Sequence, residues 1–453
     1  MKILLISPNT ESLPDPVFPL GLACIAGILK KHSINHKVLD LCFTADYEIA
    51  IKAALIDYKP DIAALSLRNV DNVSYPHYIS YLKFYKKVIK TIKNYSHGLI
   101  ILGGSGYSLL PNQLLAYLEA DVGFAGAGEF TFLDFINRIK KKKNLGQYKN
   151  SGLVISQNSA NDLNMDHLPP PDRSLLDCRA YLKKGGMGNI QTKRGCPFKC
   201  IYCTYPIIEG SRVRTRDPAL IADEIEKLLK ENIDNFFFVD NEFNYPLEHA
   251  RAVCCEIIKR KLSLKWSCYA NPKFITPGLI DLMLESGCTG LEFGTDAANP
   301  EMLLNMGKNF SVADLKKTSQ ICHRAGMAFC HSLLFGGPGE TMDTVKQSCS
   351  EIISMSPTAV VCMVGIRVFP GTLLSRVAKD EGLIKPEEDF IEPVFYLTQA
   401  VEKKILPFIK SWSKNNPTWI FPGLNININT NLQEKLRRFG LRGPLWEYMK
   451  NLK

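Results

Sequence analysis

No apolar run in the N-terminal region is long enough to cross a bilayer: the longest, Phe18 to Leu29, is about twelve residues and stops at Lys30-Lys31, against the roughly 20 that a spanning helix needs. The stretch between Met1-Lys2 and Ser7-Pro8 is too short for the core of a signal peptide and reads as a first β-strand. Internal repeats and low-complexity tracts are lacking, and with 46% hydrophobic and 22% charged residues the composition excludes long disordered stretches. No aromatic-rich basic repeat accompanies the net charge of +10. That charge is read as solvated clusters such as Lys140 to Lys143, at a helix end where cations suit the dipole, and not as a nucleic-acid interface. These absences predict a cytoplasmic protein with no membrane span and no nucleic-acid partner.

Cysteine, by contrast, is plentiful, with fourteen residues. In a reducing compartment such thiols serve as metal ligands or core residues more often than as bridges. Eleven are scattered singly or paired at Cys254-Cys255, and segments such as Ile321-Cys322 and Phe329-Cys330 use them as small hydrophobes. The other three, Cys196, Cys200 and Cys203, fall within eight positions, with no further cysteine before Cys254. Thiolates suit zinc, copper(I) or an iron-sulfur cluster. A structural zinc is closed by four ligands, and a 4Fe-4S cluster is normally held by four cysteines. Three would leave one iron of such a cluster open.

At 453 residues the chain has room for two or three domains. In residues 1–144 short apolar runs (Ile3 to Ile6, Lys37 to Leu41, Ile62 to Leu67, Leu99 to Leu102) alternate with helical stretches around Leu20 to Lys31, Tyr47 to Tyr58 and Ser80 to Tyr95. That alternation predicts βαβ units on a parallel, Rossmann-like sheet. Residues 145–185, rich in Asn, Ser and Pro and including Leu168-Pro169-Pro170-Pro171-Asp172, predict an extended linker. Within 186–375, strands are expected near Asn189, Phe236 to Val239, Lys265 to Tyr269, Gly290 to Gly294, Cys330 to Phe335 and Val360 to Val368. Six βα units suggest a partial barrel. Residues 376–453 form an irregular extension, with Trp412, Trp419 and Trp446 expected over the barrel mouth and Tyr396 and Phe408 expected in the core. The fold class is α/β throughout.

The cysteine motif follows the first expected barrel strand, at the end where parallel α/β barrels carry their chemistry. Cys-x3-Cys-x2-Cys, with the aromatic Tyr202 before its last cysteine, resembles the signature of the radical S-adenosylmethionine enzymes. The resemblance implies a 4Fe-4S cluster on Cys196, Cys200 and Cys203, whose open iron chelates the amino and carboxylate groups of S-adenosylmethionine. It implies an external electron donor of flavodoxin or ferredoxin type. Tyr202 is implied as a cofactor contact, and Asp240 and Glu242, at the second strand end, resemble the acidic segment that meets the cofactor's ammonium group. Glu292, Gly294 and Asp296, at the fourth, resemble the stretch facing ribose and carboxylate. Gly336 and Gly337, at the fifth, resemble the glycines that let backbone approach the ligand, and Arg367, at the sixth, falls on the adenine side.

Ahead of the barrel, Ser66-Leu67 and Gly103-Gly104-Ser105-Gly106 are similar to the paired segments that cradle the nucleotide tail of cobalamin. Ligands of such sheets sit outside the carboxyl ends of the strands. Pro19-Leu20-Gly21-Leu22 and Gly126-Ala127-Gly128-Glu129 also resemble cobalamin-binding radical enzymes. The implied cobalamin contacts are Ser66, Leu67, Arg68, Gly103, Gly104, Gly126 and Glu129. The loop Ser7 to Ser12 has no histidine to ligate cobalt, and His32 and His36 lie beyond the following helix. Arg68 is expected near the lower face of the cobalt, with a salt bridge to Asp71 as its alternative role.

Taken together, the resemblance implies a cobalamin-dependent radical S-adenosylmethionine methyltransferase acting on an unactivated carbon of a small-molecule, lipid or natural-product substrate, through a 5′-deoxyadenosyl radical and methylcobalamin. A cobalamin-assisted rearrangement or ring closure is the alternative within the family. A non-catalytic cobalamin or iron-sulfur sensor is the alternative outside it, and the four strand-end motifs argue against a sensor.

Overall fold

The computed structural model describes residues 1–12, 14–142, 144–156, 164–385 and 387–452, without the side chains of 142 and 450–452. Lys143 of the basic run and residues 157–163 of the expected linker lie outside the described residues.

The first sheet holds β1 (Ile3–Ser7), β2 (His36–Asp40), β3 (Ile62–Ser66), β4 (Leu99–Gly103), β5 (Val122–Ala125) and β6 (Leu153–Ser156), parallel and in the order β2-β1-β3-β4-β5-β6. All five residues of β1 are buried, and four of five in β3 and in β4. Continuous apolar runs of this kind belong to a parallel sheet covered on both faces. Leu22, Ala26 and Leu29 of helix Leu20–Lys31 and Phe132, Phe135 and Ile136 of helix Gly128–Lys142 cover one face. Helices Tyr47–Tyr58 and Leu82–Tyr95 cover the other through Ile51, Leu55, Val88 and Ile92. Asp46 starts the helix Tyr47–Tyr58, its Oδ1 accepting from the amides of Glu48 at 2.9 Å and Ile49 at 3.0 Å, a cap worth about 1 kcal/mol. The sequence pattern misses β5 and β6. The latter falls inside the stretch expected to be a linker, and as a half-exposed edge strand its apolar run is only the three residues Leu153 to Ile155.

The second sheet contains every strand expected of the partial barrel. It comprises β7 (Gly188–Ile190), then, after a separate antiparallel pair of β8 (Lys193–Arg194) and β9 (Arg214–Thr215), β10 (Asn235–Phe238), β11 (Lys265–Ala270), β12 (Cys288–Asp296), β13 (Ala328–Phe335) and β14 (Ala359–Val364). Beyond these, β15 (Ile366–Arg367) pairs with β16 (Phe395–Tyr396), and β17 (Trp419–Ile420) adds a seventh strand, giving the parallel order β17-β14-β13-β12-β11-β10-β7. Phe236, Phe238 and Trp266 pack outward beneath the helices. The Phe238 and Trp266 rings meet edge to face at 4.8 Å.

The C-terminal extension does not cover the barrel mouth as expected. Trp446 packs on Ala328, Cys330 and Ala359, at the amino-terminal ends of β13 and β14, so it closes the opposite end. Trp412 and Trp419 meet edge to face at 5.4 Å beside the last strand. Tyr396 is in the core, and Phe408 stacks on Trp412 at 5.6 Å. Among the described residues, no helix is long and apolar enough to cross a membrane.

Candidate active site

The cysteine loop leaves the β8 strand at Gly195, whose φ of +91° and 2.1 Å approach of a would-be Cβ to the Arg212 carbonyl admit no side chain. Backbone bonds from Cys196 N to Gly210 O (3.1 Å), Cys203 N to Cys200 O (3.1 Å) and Ile201 N to Met306 O (3.1 Å) fix its course. All three thiols are free. Burial pushes Cys196 up to about 11 and Cys203 up to about 12, and raises Cys200 as well. The Lys308 ammonium opposes burial at each of the three. A metal centre would supply the positive charge these sulfurs need as thiolates. Three thiols form a soft donor set that fits an iron-sulfur cluster with one iron left open.

Beside the loop, Asp296 ends β12 at a break in the strand register, with a φ of +63°. A bulge of this kind re-aims a side chain. Asp296 Oδ2 accepts from the Tyr202 hydroxyl at 2.5 Å and from Lys308 Nζ at 2.9 Å. Glu242 lies in the same charge cluster, and its Oε2 is buried without a partner. Burial is the main cause that carries its carboxyl up to about 7, with Lys308 opposing and Asp296 reinforcing. A buried acceptor left unsatisfied costs roughly 1–3 kcal/mol, and a ligand ammonium would relieve it. Tyr202, Glu242 and Asp296 are thus brought together, with Lys308, which no motif announced.

Other expected contacts are engaged within the protein. Asp240 accepts from Thr192 N at 2.7 Å, Thr192 Oγ1 at 2.5 Å and Lys193 N at 3.2 Å, and lies 3.9 Å from Lys193 Nζ. It shapes the turn before the cysteine loop and has no oxygen turned to a ligand. Glu292 accepts from the Trp446 indole at 2.8 Å, away from the Asp296 cluster. Gly294 faces open space, whereas Gly336 and Gly337 lie against Leu397 and Met306. Arg367 donates to Asp71 Oδ2 at 2.9 Å, Val368 O at 2.7 Å and Phe390 O at 3.2 Å, so its guanidinium is consumed.

In the first domain the ends of β3 and β4 interlock. Leu67 N donates to Gly103 O at 2.7 Å, and at Gly104, φ +100°, a Cβ would stand 2.5 Å from Leu67 O. Leu67 itself is turned into the core and is not a contact surface. Ser66, Arg68, Gly103, Gly104, Gly126 and Glu129 line a cavity of about 560 Å³ that opens toward Gln191, Tyr205 and Glu209 of the barrel domain. Its place at the carboxyl ends of a parallel sheet is where such folds bind ligands. Its glycine-walled groove fits a flat, extended group. None of the described residues lining it is a histidine. The expected alternative for Arg68 is not made, since Asp71 belongs to Arg367; Arg68 is exposed to the cavity. The Glu129 carboxylate pairs through Oε1 with Arg194 at 2.6 Å. Burial opposes its charge, but Arg194 outweighs it and holds Glu129 below the ordinary carboxylate value.

Comparison with known proteins agrees with both halves. Residues 190–352 match the radical SAM superfamily and residues 6–136 the B12 binding domain. The chain is 24% identical to a tryptophan 2-C-methyltransferase of Streptomyces laurentii, over 81% of this chain and 73% of that protein. It is also 24% identical to a cytidylyl-2-hydroxyethylphosphonate methyltransferase of Streptomyces wedmorensis, over 85% and 83%. Its fold matches the radical S-adenosylmethionine methyltransferase TsrM of Kitasatospora setae, solved with cobalamin and a [4Fe-4S] cluster bound, at a TM-score of 0.86 and 20% identity, covering 99% of this chain and 97% of that one. The chain is a radical S-adenosylmethionine enzyme with a B12-binding domain. Along most of its length it is similar to cobalamin-dependent radical S-adenosylmethionine methyltransferases.

Proposed function

We propose that this enzyme methylates an unactivated carbon of a small-molecule, lipid or natural-product substrate held between its two sheets. One juxtaposition carries the reading: the loop that bears three free thiols runs on through Thr204 and Tyr205 into the lining of the glycine-walled cavity of the first domain, and none of the described residues lining that cavity is a histidine. When bound, the cluster, S-adenosylmethionine and cobalamin supply the electron, radical and methyl chemistry. Cys196, Cys200 and Cys203 would hold the cluster, and three ligands would leave one iron open for S-adenosylmethionine. The unpartnered oxygen of Glu242 accepts from that ammonium. Asp296 is aimed by Tyr202 and Lys308 toward the same ligand, and the Lys308 charge offsets the carboxylate and the thiolates together. Ser66, Gly103, Gly104 and Gly126 wall the cobalamin groove, and Arg68 is the cation exposed in it.

This reading includes an external one-electron donor of flavodoxin or ferredoxin type and a cytoplasmic location, which suits unbridged thiols. The test uses anaerobically reconstituted, reduced protein given S-adenosylmethionine. With cobalamin also supplied, the expected products are S-adenosylhomocysteine, whose methyl group the reduced cobalamin accepts, and 5′-deoxyadenosine. A protein that binds the cofactors and forms neither product is a sensor, and the proposal fails.

A further inference from the structure

A line of buried and half-buried polar side chains joins the two cofactor regions. At one end, Glu129 lies at the start of the helix that borders the cavity, and its Oε1 accepts from Arg194 at 2.6 Å. Arg194 Nε donates onward to Gln191 Oε1 at 2.9 Å, and Gln191 Nε2 donates to Glu209 Oε1 at 3.2 Å. The other oxygen of Glu209 accepts from Gly195 N at 3.1 Å and from Asn241 Nδ2 at 3.1 Å. Gly195 immediately precedes Cys196, and Asn241 immediately precedes Glu242.

From this geometry we infer that Glu129, Arg194, Gln191 and Glu209 form a relay of positioning residues that couples occupancy of the inter-domain cavity to the cysteine loop and Glu242. The inference rests on the two-cofactor reading above. Each member uses distinct atoms toward its two neighbours, so a displacement at Glu129 cannot be absorbed without changing the partners of Glu209. Bonds of this kind are strong and directional where water is excluded. Glu129 also keeps one oxygen, Oε2, buried and unpartnered, a group that an arriving donor in the cavity would engage. Arg194 and Glu209 belong to the barrel domain and Glu129 to the first, so the relay crosses the domain boundary at the loop that carries the thiols.

Coupling between two sites is reciprocal in binding free energy. The test measures S-adenosylmethionine affinity calorimetrically on the full-length protein with its oxidised cluster, with and without saturating hydroxocobalamin, and then hydroxocobalamin affinity with and without S-adenosylmethionine. The expectation is that each tightens the other by the same factor, roughly 5- to 150-fold as is typical of coupled sites. Glu129→Gln and Gln191→Met should each bring that factor close to one while iron content is retained. Gln191→Met strands no buried charge and decides the matter if Glu129→Gln fails to fold. A native protein that binds both cofactors without coupling, or variants that keep the native factor, would overturn the relay and leave the proposed function standing. Failure to bind either cofactor would overturn that function as well.

Discussion

Arg367 Nε stands 2.9 Å from Asp71 Oδ2, with both side chains buried, and this ion pair ties the strand end at the barrel mouth to the first domain. Backbone carbonyls of Val368 and Phe390 take further guanidinium hydrogens. The two domains are thereby locked at the edge of the cavity they share.

Breaking that pair from one side should be costly. Asp71→Ala strands a buried guanidinium, and the expected loss is about 3–5 kcal/mol of apparent stability, read as a lower thermal midpoint at neutral pH. The double variant Asp71→Leu/Arg367→Met should lose less than Asp71→Ala alone. Equal midpoints for native protein and Asp71→Ala would mean that the pair contributes nothing.

Anaerobic reconstitution should load about four irons and four sulfides, as a cubane requires. Cys196→Ala, Cys200→Ala and Cys203→Ala should each abolish the cluster's absorbance, while Cys254→Ala, whose thiol is buried in the helix-side core, leaves it intact. Stoichiometric zinc without iron in the anaerobic protein would exclude a cluster.

Glu242 gives a pH signature in the cofactor-free protein. Its carboxyl is raised from 4.5 to about 7 by burial, so the folded chain holds its proton more tightly than the unfolded chain. That contribution is fully present below 4.5 and is lost as pH rises through about 7. Urea unfolding at several pH values should show native stability falling relative to Glu242→Gln across that window, by on the order of 3 kcal/mol at most. Parallel pH profiles would remove Glu242 as an ionising group there. With cofactors present, Glu242→Ala should weaken S-adenosylmethionine binding and cleavage while the cluster is retained.

The cobalamin groove has no histidine among its described lining residues, so cobalt should lack a nitrogen ligand from the protein. With the cofactor's own dimethylbenzimidazole tail held in the groove between Ser66 and Gly104, away from cobalt, bound cob(II)alamin should give a paramagnetic resonance spectrum without nitrogen triplets, and Arg68→His should restore them if Arg68 faces the cobalt. Triplets in the native protein would reveal a nitrogen ligand that the cavity does not display.

Some of this was legible in the sequence because its signals are local. The six barrel strands are apolar runs, and the three cysteines have a spacing few other sites share. Arg367, Glu129 and Asp240 were legible as charged residues at strand or helix ends, but not as protein-internal partners. Asp71, Arg194 and Thr192 claim them from distant segments, and no local pattern says which distant group will claim a charge. Lys308 had no motif around it, although it touches Asp296 at 2.9 Å. Trp446 was legible as a buried anchor, but a lone tryptophan carries no direction, and it closes the end of the barrel opposite the one expected. The half-exposed β6 strand escaped because its apolar run, Leu153 to Ile155, is short and sits in an Asn- and Ser-rich stretch.

The most direct test of methyl transfer follows the methyl group itself. Cells with and without the protein, fed methionine labelled as ¹³CD₃, are compared by mass spectrometry, with Cys200→Ala as the inactive control. The expected result is a metabolite present only with the native protein that carries the intact ¹³CD₃ group on carbon. A metabolite that depends on the protein but carries no label would show a rearrangement or ring closure, and would contradict methyl transfer.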